Sequence, residues 1–367
     1  MKGLLYMPSW SQPHWSFREK LACSMSERGT AILRLFPPEL AHNIGMKILE
    51  KGWASPLLGQ SLSARFSGLN TDVPGIGRLS HPLGLAAGFD KDCRAPRSFA
   101  QMGFSFVEVG TITPRPQPGN PKPRMFRVPE QMAIINRMGF NSTGSSLVSQ
   151  RLDALKWDHE RVPLGVNLGK NKTTTADEAI TDYLQGYEAF RGKARYYVFN
   201  LSSPNTVGLR DLANKTFVRE LVAELGADIC HIWLKLDPDM GKKKLQELIE
   251  AVSEYGFQGV ILSNTHRVEW PEAGGLSGHP LALAAGNSLE WAYEVHKGDL
   301  PMVASGGILS GADLFERLAR GAIAAQIYTA LVYRGPWVVV QLLIELVEEM
   351  KLRGFSEVSE VVGSFYE

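Results

Sequence analysis

Cysteine is scarce. The three residues, Cys23, Cys93 and Cys230, lie far apart and form no Cys-x-x-Cys pair. That argues against a disulfide framework and a cysteine zinc site, and fits a reducing compartment. The eight histidines show no His-x-x-x-His spacing, so no metal is expected. A charge excess is missing too: 39 Lys and Arg face 38 Asp and Glu, for a net charge of +1. With no block of like charge, the clustered basic footprint of a nucleic-acid surface is absent, and no nucleic-acid partner is expected. No apolar run approaches the ~20 residues of a membrane-spanning helix. The opening MKGLLYMPSWSQPHWSFREK holds only the short patch LLYM, too little for a signal-peptide core.

What is present is a globular composition, 44% hydrophobic over 367 residues, ample for a large core. From residue 83 onward short apolar runs alternate with helical patterns. Eight runs read as strands: LGLAAG (83–88), FVEVG (106–110), LGVNLG (164–169), YYVFNLS (196–202), IWLKL (232–236), GVILSN (259–264), MVASGG (302–307) and AAQIYTA (324–330). Helices are expected between them, among others over 242–256, 312–321 and 338–354. Eight such alternations predict an α/β fold of the (β/α)8 TIM-barrel type. The competing doubly wound sheet needs a Gly-x-Gly-x-x-Gly turn after its first strand, and Gly88-Phe-Asp-Lys91 is not one.

Residues 1–60 read as a separate N-terminal helical region ahead of a barrel over 61–367. LFPPELAHNIGMKILEKG (35–52) has proline at a helix start, Leu40, Ala41, Ile44, Ile48 and Leu49 on one side, and Gly52 as a stop. SERGTAILRLF (26–36) forms a shorter amphipathic candidate. Such helices can lie on a bilayer with their apolar faces down or pack against the barrel. Tyr6, Trp10 and Trp15, among Lys2, Arg18 and Lys20, are residue types that favour a membrane interface.

In a barrel, functional groups gather at the carboxyl ends of the strands. Those ends read Lys91, Gly110-Thr111, Asn167 and Lys170, Asn200 to Asn205, Lys235, Asn264-Thr265, Ser305-Gly306-Gly307 and Tyr328-Thr329. Gly306-Gly307, with Gly278 upstream, offers backbone N–H groups to a phosphate. Lys91 and Lys235 can stabilise negative charge on a ring or a carboxylate. Asn136, Asn200, Asn205 and Asn264 supply the paired donors and acceptors that an amide-rich ring requires. The strand FNLSSPNTVGLR (199–210) ends in a cluster of hydroxyl and amide side chains with Pro204 among them. A proline-rich insertion (112–141) interrupts the second βα unit. Loops of that length usually form lids or binding loops, and its Ile134-Ile135 stretch is too apolar for open solvent.

Ten motifs in sequence order resemble the dihydroorotate dehydrogenases: LGLAAGFDK (83–91), VEVGTITPRPQPGNPKPRMFR (107–127), INRMGFN (135–141), LGVNLGKNK (164–172), FNLSSPNTVGLR (199–210), WLKLDPD (233–239), LSNT (262–265), GGLSG (274–278), SGGI (305–308) and QIYTAL (326–331). The class resembled is the quinone-dependent one, class 2, because serine stands at 203 where class 1 has cysteine, and because an N-terminal helical segment is present. The resemblance implies an FMN enzyme that oxidises (S)-dihydroorotate to orotate in pyrimidine biosynthesis and passes electrons to a membrane quinone. It implies peripheral association with the cytoplasmic face of a bacterial inner membrane, or with the mitochondrial inner membrane. Ser203 is then the base. Lys91, Asn136, Arg137, Met138, Gly139, Phe140, Asn200, Asn205, Asn264 and Thr265 hold the substrate. Ala87, Gly88, Lys91, Thr111, Asn167, Asn200, Lys235, Ser263, Gly278, Gly306, Gly307, Tyr328 and Thr329 hold FMN. His42, Arg127 and Tyr328 line the quinone entrance, and Thr206 and Phe140 match a proton relay. The chain departs from the family pattern at Cys93-Arg94, Val207, Asp237, His266 and Ser305, which bears on loop rigidity. Three other readings remain at this point: another flavin barrel acting on a pyrimidine base or on RNA, an aldolase using Lys235 as Schiff-base nucleophile, and a non-catalytic membrane-peripheral binding protein.

Overall fold

A computed structural model describes residues 17–52, 66–204 and 208–367. Tyr6, Trp10, Trp15, Asn205, Thr206 and Val207 lie outside the described residues. An antiparallel hairpin, β1 (Thr71–Val73) with β2 (Gly77–Leu79), comes first. The eight expected runs then form the barrel: β3 (Leu83–Leu85), β4 (Val107–Ile112), β7 (Leu164–Leu168), β8 (Tyr196–Asn200), β9 (Ile232–Lys235), β10 (Gly259–Leu262), β13 (Met302–Ser305) and β14 (Ala324–Ile327). They pair in chain order, and β14 closes on β3. All eight are buried along their length, as strands covered on both faces must be.

The amino-terminal half of the barrel is filled by Phe106, Tyr196, Val198, Trp233, Ile261 and Val303. Gly84 and Gly165 leave room for two of those rings; a Cβ at either would fall within 2.4 Å of Phe106 or 2.1 Å of Tyr196. Val73, Ile76 and Leu79 of the first hairpin plug this end from outside. The barrel is therefore packed below and open at its carboxyl rim. The surrounding helices follow the expected pattern and stop slightly short of it. α7 (Lys242–Glu254) ends before Gly256, whose φ of +77° terminates the helix.

Two helices precede the barrel, α1 (Phe17–Leu33) and α2 (Pro38–Glu50). α1 starts nine residues before the short candidate at 26–36, because FREKLACSM contains good helix formers and no glycine or proline. Cys23 is buried and accepts a hydrogen bond from Gln341 Nε2 at 3.1 Å, fixing α1 to α11 (Val338–Leu352). The apolar side of α2 is divided: Ala41, Met46 and Leu49 are buried while Leu40 faces outward.

The proline-rich insertion contains strands that local pattern does not announce, β5 (Met125–Val128) and β6 (Ala133–Asn136). They join β11 (His266–Val268) and β12 (Gly274–Gly278) in an antiparallel sheet of order β11-β12-β6-β5. Ala133, Ile135 and Leu276 form its own small core, which accounts for the apolar stretch in the insertion. Two arginines join this sheet to the helical pair. Arg127 Nη1 donates to the carbonyls of Arg34 (3.0 Å) and Phe36 (2.8 Å). Arg124 Nη2 pairs with Glu39 at 2.8 Å.

Candidate active site

At the carboxyl rim, under the antiparallel sheet, lies a cavity enclosing about 1120 Å³ of unfilled space, part of it at its mouth. Its floor is a chain of polar side chains inside the barrel. Gln326 Nε2 donates to Glu108 Oε2 (2.6 Å) and Asn167 Nδ2 to Glu108 Oε1 (2.8 Å). Thr111 Oγ1 donates to Asn167 Oδ1 (2.6 Å), and Asn200 Nδ2 to Thr111 Oγ1 (3.0 Å). Asn264 Nδ2 reaches Ser202 Oγ at 2.9 Å, and Ser202 Oγ donates to Asn200 Oδ1 at 2.9 Å. Such connection keeps buried polar groups satisfied and rigid. Among the buried atoms without a hydrogen-bond partner are Gln326 Oε1 and, in the barrel core beneath, Tyr196 Oη and Trp233 Nε1; of these residues Gln326 lines the cavity.

Two cations border this space. Lys235 is buried; desolvation lowers the pKa of its ammonium, and the Glu108 carboxylate counters part of that. Lys91 Nζ donates to Asn141 Oδ1 at 2.7 Å. Burial first, and the Arg124 cation second, bring its pKa down to about 8. Its loop is held by buried Asp90, whose carboxylate accepts from the Arg94 and Ala95 N–H groups at 2.7 and 2.8 Å. At the far end Gly278, Gly306 and Gly307 carry φ values of +94°, +104° and +72° and line the wall with bare backbone. A Cβ on Gly307 would lie 2.4 Å from Ala282 Cα, so no larger residue fits there.

A second, mostly apolar cavity adjoins the first. It is bounded by α1 and α2 on one side and the barrel rim on the other, with Ala41, His42, Ile48, Leu49, Phe89 and Arg127 among its walls. Met125, Ile134 and Tyr328 border both spaces. His42, Phe89 and Tyr328 stand in file across that boundary, with ring centroids 5.2 and 5.1 Å apart. Burial and the nearby Lys91 cation hold the pKa of His42 down to about 4, so its imidazole is neutral at physiological pH.

Nearly all the residues expected at the site converge. Ala87, Gly88, Lys91, Thr111, Asn136, Met138, Gly139, Phe140, Asn200, Ser203, Lys235, Ser263, Asn264, Thr265, Gly278, Gly306, Gly307, Tyr328 and Thr329 all line the first cavity. Asn167 does not face it; it sits beneath, bonded to Thr111 and Glu108. Arg137 turns outward, its guanidinium over the Phe126 ring and paired with Glu272 at 2.9 Å. Asn205 falls outside the described residues. Three contributors were not among the expected site residues. Glu108 and Gln326 were detectable, since a Glu in FVEVG and a Gln in AAQIYTA are polar groups inside buried strands. Asn141 carried no such signal.

Catalysis in this fold belongs to the carboxyl rim, and a rim with fixed amides, two lysines and a buried hydroxyl marks a (β/α)8-barrel enzyme. Comparison decides which kind. The family model described as Dihydroorotate dehydrogenase matches residues 68–350, and the chain belongs to that family. It is 38% identical over 355 residues to the mitochondrial dihydroorotate dehydrogenase (quinone) of Mus musculus, covering 91% of this chain and 88% of the relative. It is 40% identical over 336 residues to the dihydroorotate dehydrogenase (quinone) of Thermus thermophilus, covering 88% and 96%. Among solved structures, DHODH from Eimeria tenella in complex with ferulenol superposes with a TM-score of 0.83 at 35% identity, covering 90% of this chain and 96% of that one.

Proposed function

We infer that the protein oxidises (S)-dihydroorotate to orotate in pyrimidine biosynthesis, with a membrane quinone as final electron acceptor. Beside family membership, one observation carries this reading: a polar, lysine-bearing cavity and an apolar cavity share the wall Met125, Ile134 and Tyr328. An anionic ring and a hydrophobic acceptor can each be served on its own side.

The first cavity fits FMN. The unpartnered Gln326 Oε1 would accept from a ring imide N–H, the buried Lys235 would give ring oxygens a cation, and the glycine wall would meet a phosphate with backbone. FMN, when bound, supplies the acceptor for the substrate hydride and the donor to quinone. The protein's own part is positioning and proton handling. Asn136, Asn200, Asn264 and Thr265 hold the substrate ring by its amide edges, and Lys91 takes its carboxylate. Ser203 Oγ accepts the proton from the ring carbon beside the carbonyl. Serine is a weak base, so its own proton must pass onward while the lysines stabilise the charge that develops on the ring.

Quinone approaches between α1, α2 and the barrel, past His42 and Arg127. No described helix is long and apolar enough to cross a membrane. Phe17, Leu21, Met25, Ile32 and Leu35 are nevertheless exposed on and just after α1. Such a helix face suits shallow insertion into a lipid surface, and the protein works as a peripheral protein of a quinone-bearing membrane: the cytoplasmic face of a bacterial inner membrane, or the mitochondrial inner membrane in a eukaryote. Anaerobic titration with dihydroorotate is expected to bleach the flavin absorbance, and a soluble quinone to restore it. An unbleached flavin would overturn the reading.

A further inference from the structure

Ser202, the residue before Ser203, is held from behind by a group outside the expected site residues. Arg210 begins the 3-10 turn Arg210–Leu212 after β8, and its guanidinium turns back toward the rim. Nε donates to the Ser202 carbonyl (3.2 Å) and lies 2.9 Å from Asp237 Oδ2. Nη1 reaches Asp239 Oδ2 (2.7 Å), and Nη2 the Thr265 carbonyl (2.9 Å). One planar fork thus joins the ends of three successive barrel strands: β8 through Ser202, β9 through the two aspartates, and β10 through Thr265.

The two acids are themselves held. Asp237 Oδ1 accepts the Asp239 N–H at 2.9 Å, and Asp239 Oδ2 accepts the Arg267 N–H at 2.8 Å. Asp239 Oδ1 contacts the His266 ring. On the cavity side, Ser202 is held again, its hydroxyl between Asn200 and Asn264. Gripped by its carbonyl outside and its hydroxyl inside, Ser202 sets the starting point of the next residue, Ser203. Thr265, held at the same fork, helps position the substrate ring.

We propose that Arg210 is a positioning residue for proton abstraction: by joining the Ser202 and Thr265 carbonyls, with Asp237 and Asp239 as its charge partners, it fixes the Ser203 hydroxyl relative to the substrate ring. The proposal rests on the reading of Ser203 as proton acceptor. Arginine suits the task because its five donors lie in one rigid plane, which lysine cannot reproduce. Misplacing a reacting group by an ångström can cost about a hundredfold in rate.

The test uses the flavin-loaded full chain with Arg210→Gln, Arg210→Lys, Asp237→Asn and Ser203→Ala. Arg210→Gln is expected to slow flavin reduction by dihydroorotate about tenfold to a hundredfold. Its isotope effect from deuterium on the carbon that loses the proton should grow, while the effect on the hydride-donating carbon should not. Reoxidation of dithionite-reduced enzyme by a soluble quinone should stay near the wild-type value, and orotate affinity should fall by less than the reduction rate, since Thr265 is held at the same fork. Arg210→Lys should recover part of the rate, and Asp237→Asn should show a smaller loss of the same pattern. Reduction at the wild-type rate in Arg210→Gln overturns the proposal. So does an equal loss of reduction, orotate binding and reoxidation, which would mark a merely structural role. If Arg210→Gln does not fold, Asp237→Asn decides, and a wild-type isotope pattern there is a refutation. Ser203→Ala separates the two levels: an undiminished rate in that variant removes the base assignment itself.

Discussion

The residues of the first cavity owe their properties to desolvation. Lys91 shows this most directly, because burial and the Arg124 cation bring its pKa to about 8, well below the usual lysine value. Below pH 8 it is an ammonium able to meet a carboxylate; above that it loses its proton in the free protein. In the complex the bound carboxylate keeps it charged. Orotate affinity is therefore expected to be flat below about pH 8 and to weaken as pH rises through it, approaching tenfold per pH unit, since one pKa unit corresponds to 1.36 kcal/mol. Lys91→Met should bind weakly at every pH and lose this dependence. Equilibrium titration across the range checks both, and an unchanged pH profile in Lys91→Met would remove Lys91 from the carboxylate site. The kinds of residue at the rim were legible in the sequence, because strand ends can be located from apolar runs. Their direction was not. Arg137 has the right neighbours in the chain, yet its side chain meets Phe126 and Glu272 outside the cavity.

Among the elements, the meeting of the end of β13 with the start of α8 (Ala282–His296) leaves little freedom. Gly307 combines a left-handed φ of +72° with an approach to the Ala282 backbone that a Cβ would bring to 2.4 Å. Backbone cannot step aside as a flexible side chain can. Gly307→Ala is expected to cost about 1–3 kcal/mol in strain and to lower flavin retention about tenfold or more, as 1.4 kcal/mol corresponds to a factor of ten. The flavin-to-protein ratio and the thermal midpoint of purified protein report this. Gly306 shares the left-handed φ, at +104°, but the nearest atom to its Cβ is Leu281 Cδ2 at 2.6 Å, a side chain that can rotate, so Gly306→Ala should retain more flavin than Gly307→Ala. Equal retention by the two variants would contradict the argument.

For the whole molecule, the two cavities differ in character. The barrel supplies the polar one, and the helical pair, joined to the insertion by Arg124–Glu39 and Arg127, completes the apolar one. The outer face of α1 is left with Phe17 at 80% and Leu21 at 51% exposure, an uncovered apolar surface. Changing Phe17, Leu21 and Met25 each to Gln is expected to reduce co-sedimentation with lipid vesicles about tenfold or more, since burying each apolar side chain is worth about 1.5–3 kcal/mol. Turnover with a soluble quinone should be unaffected, because these side chains lie outside both cavities. Vesicle binding at the wild-type level would show that α1 does not make the contact.

Sequence by itself determined the barrel. Eight apolar runs at βα spacing, each ending in a polar or glycine residue, are local patterns, and the parallel closure follows from them because buried strands need cover on both faces. It also determined which residue types meet at the rim. Only the tertiary structure decided the rest: the sheet in which β6 pairs with β12 across more than a hundred residues of chain, the placement of Asn167 beneath the cavity, and the fork of Arg210 across three strand ends. Antiparallel pairing and ion-pair geometry between distant segments depend on where the barrel brings those segments, and no local period in the chain encodes that distance.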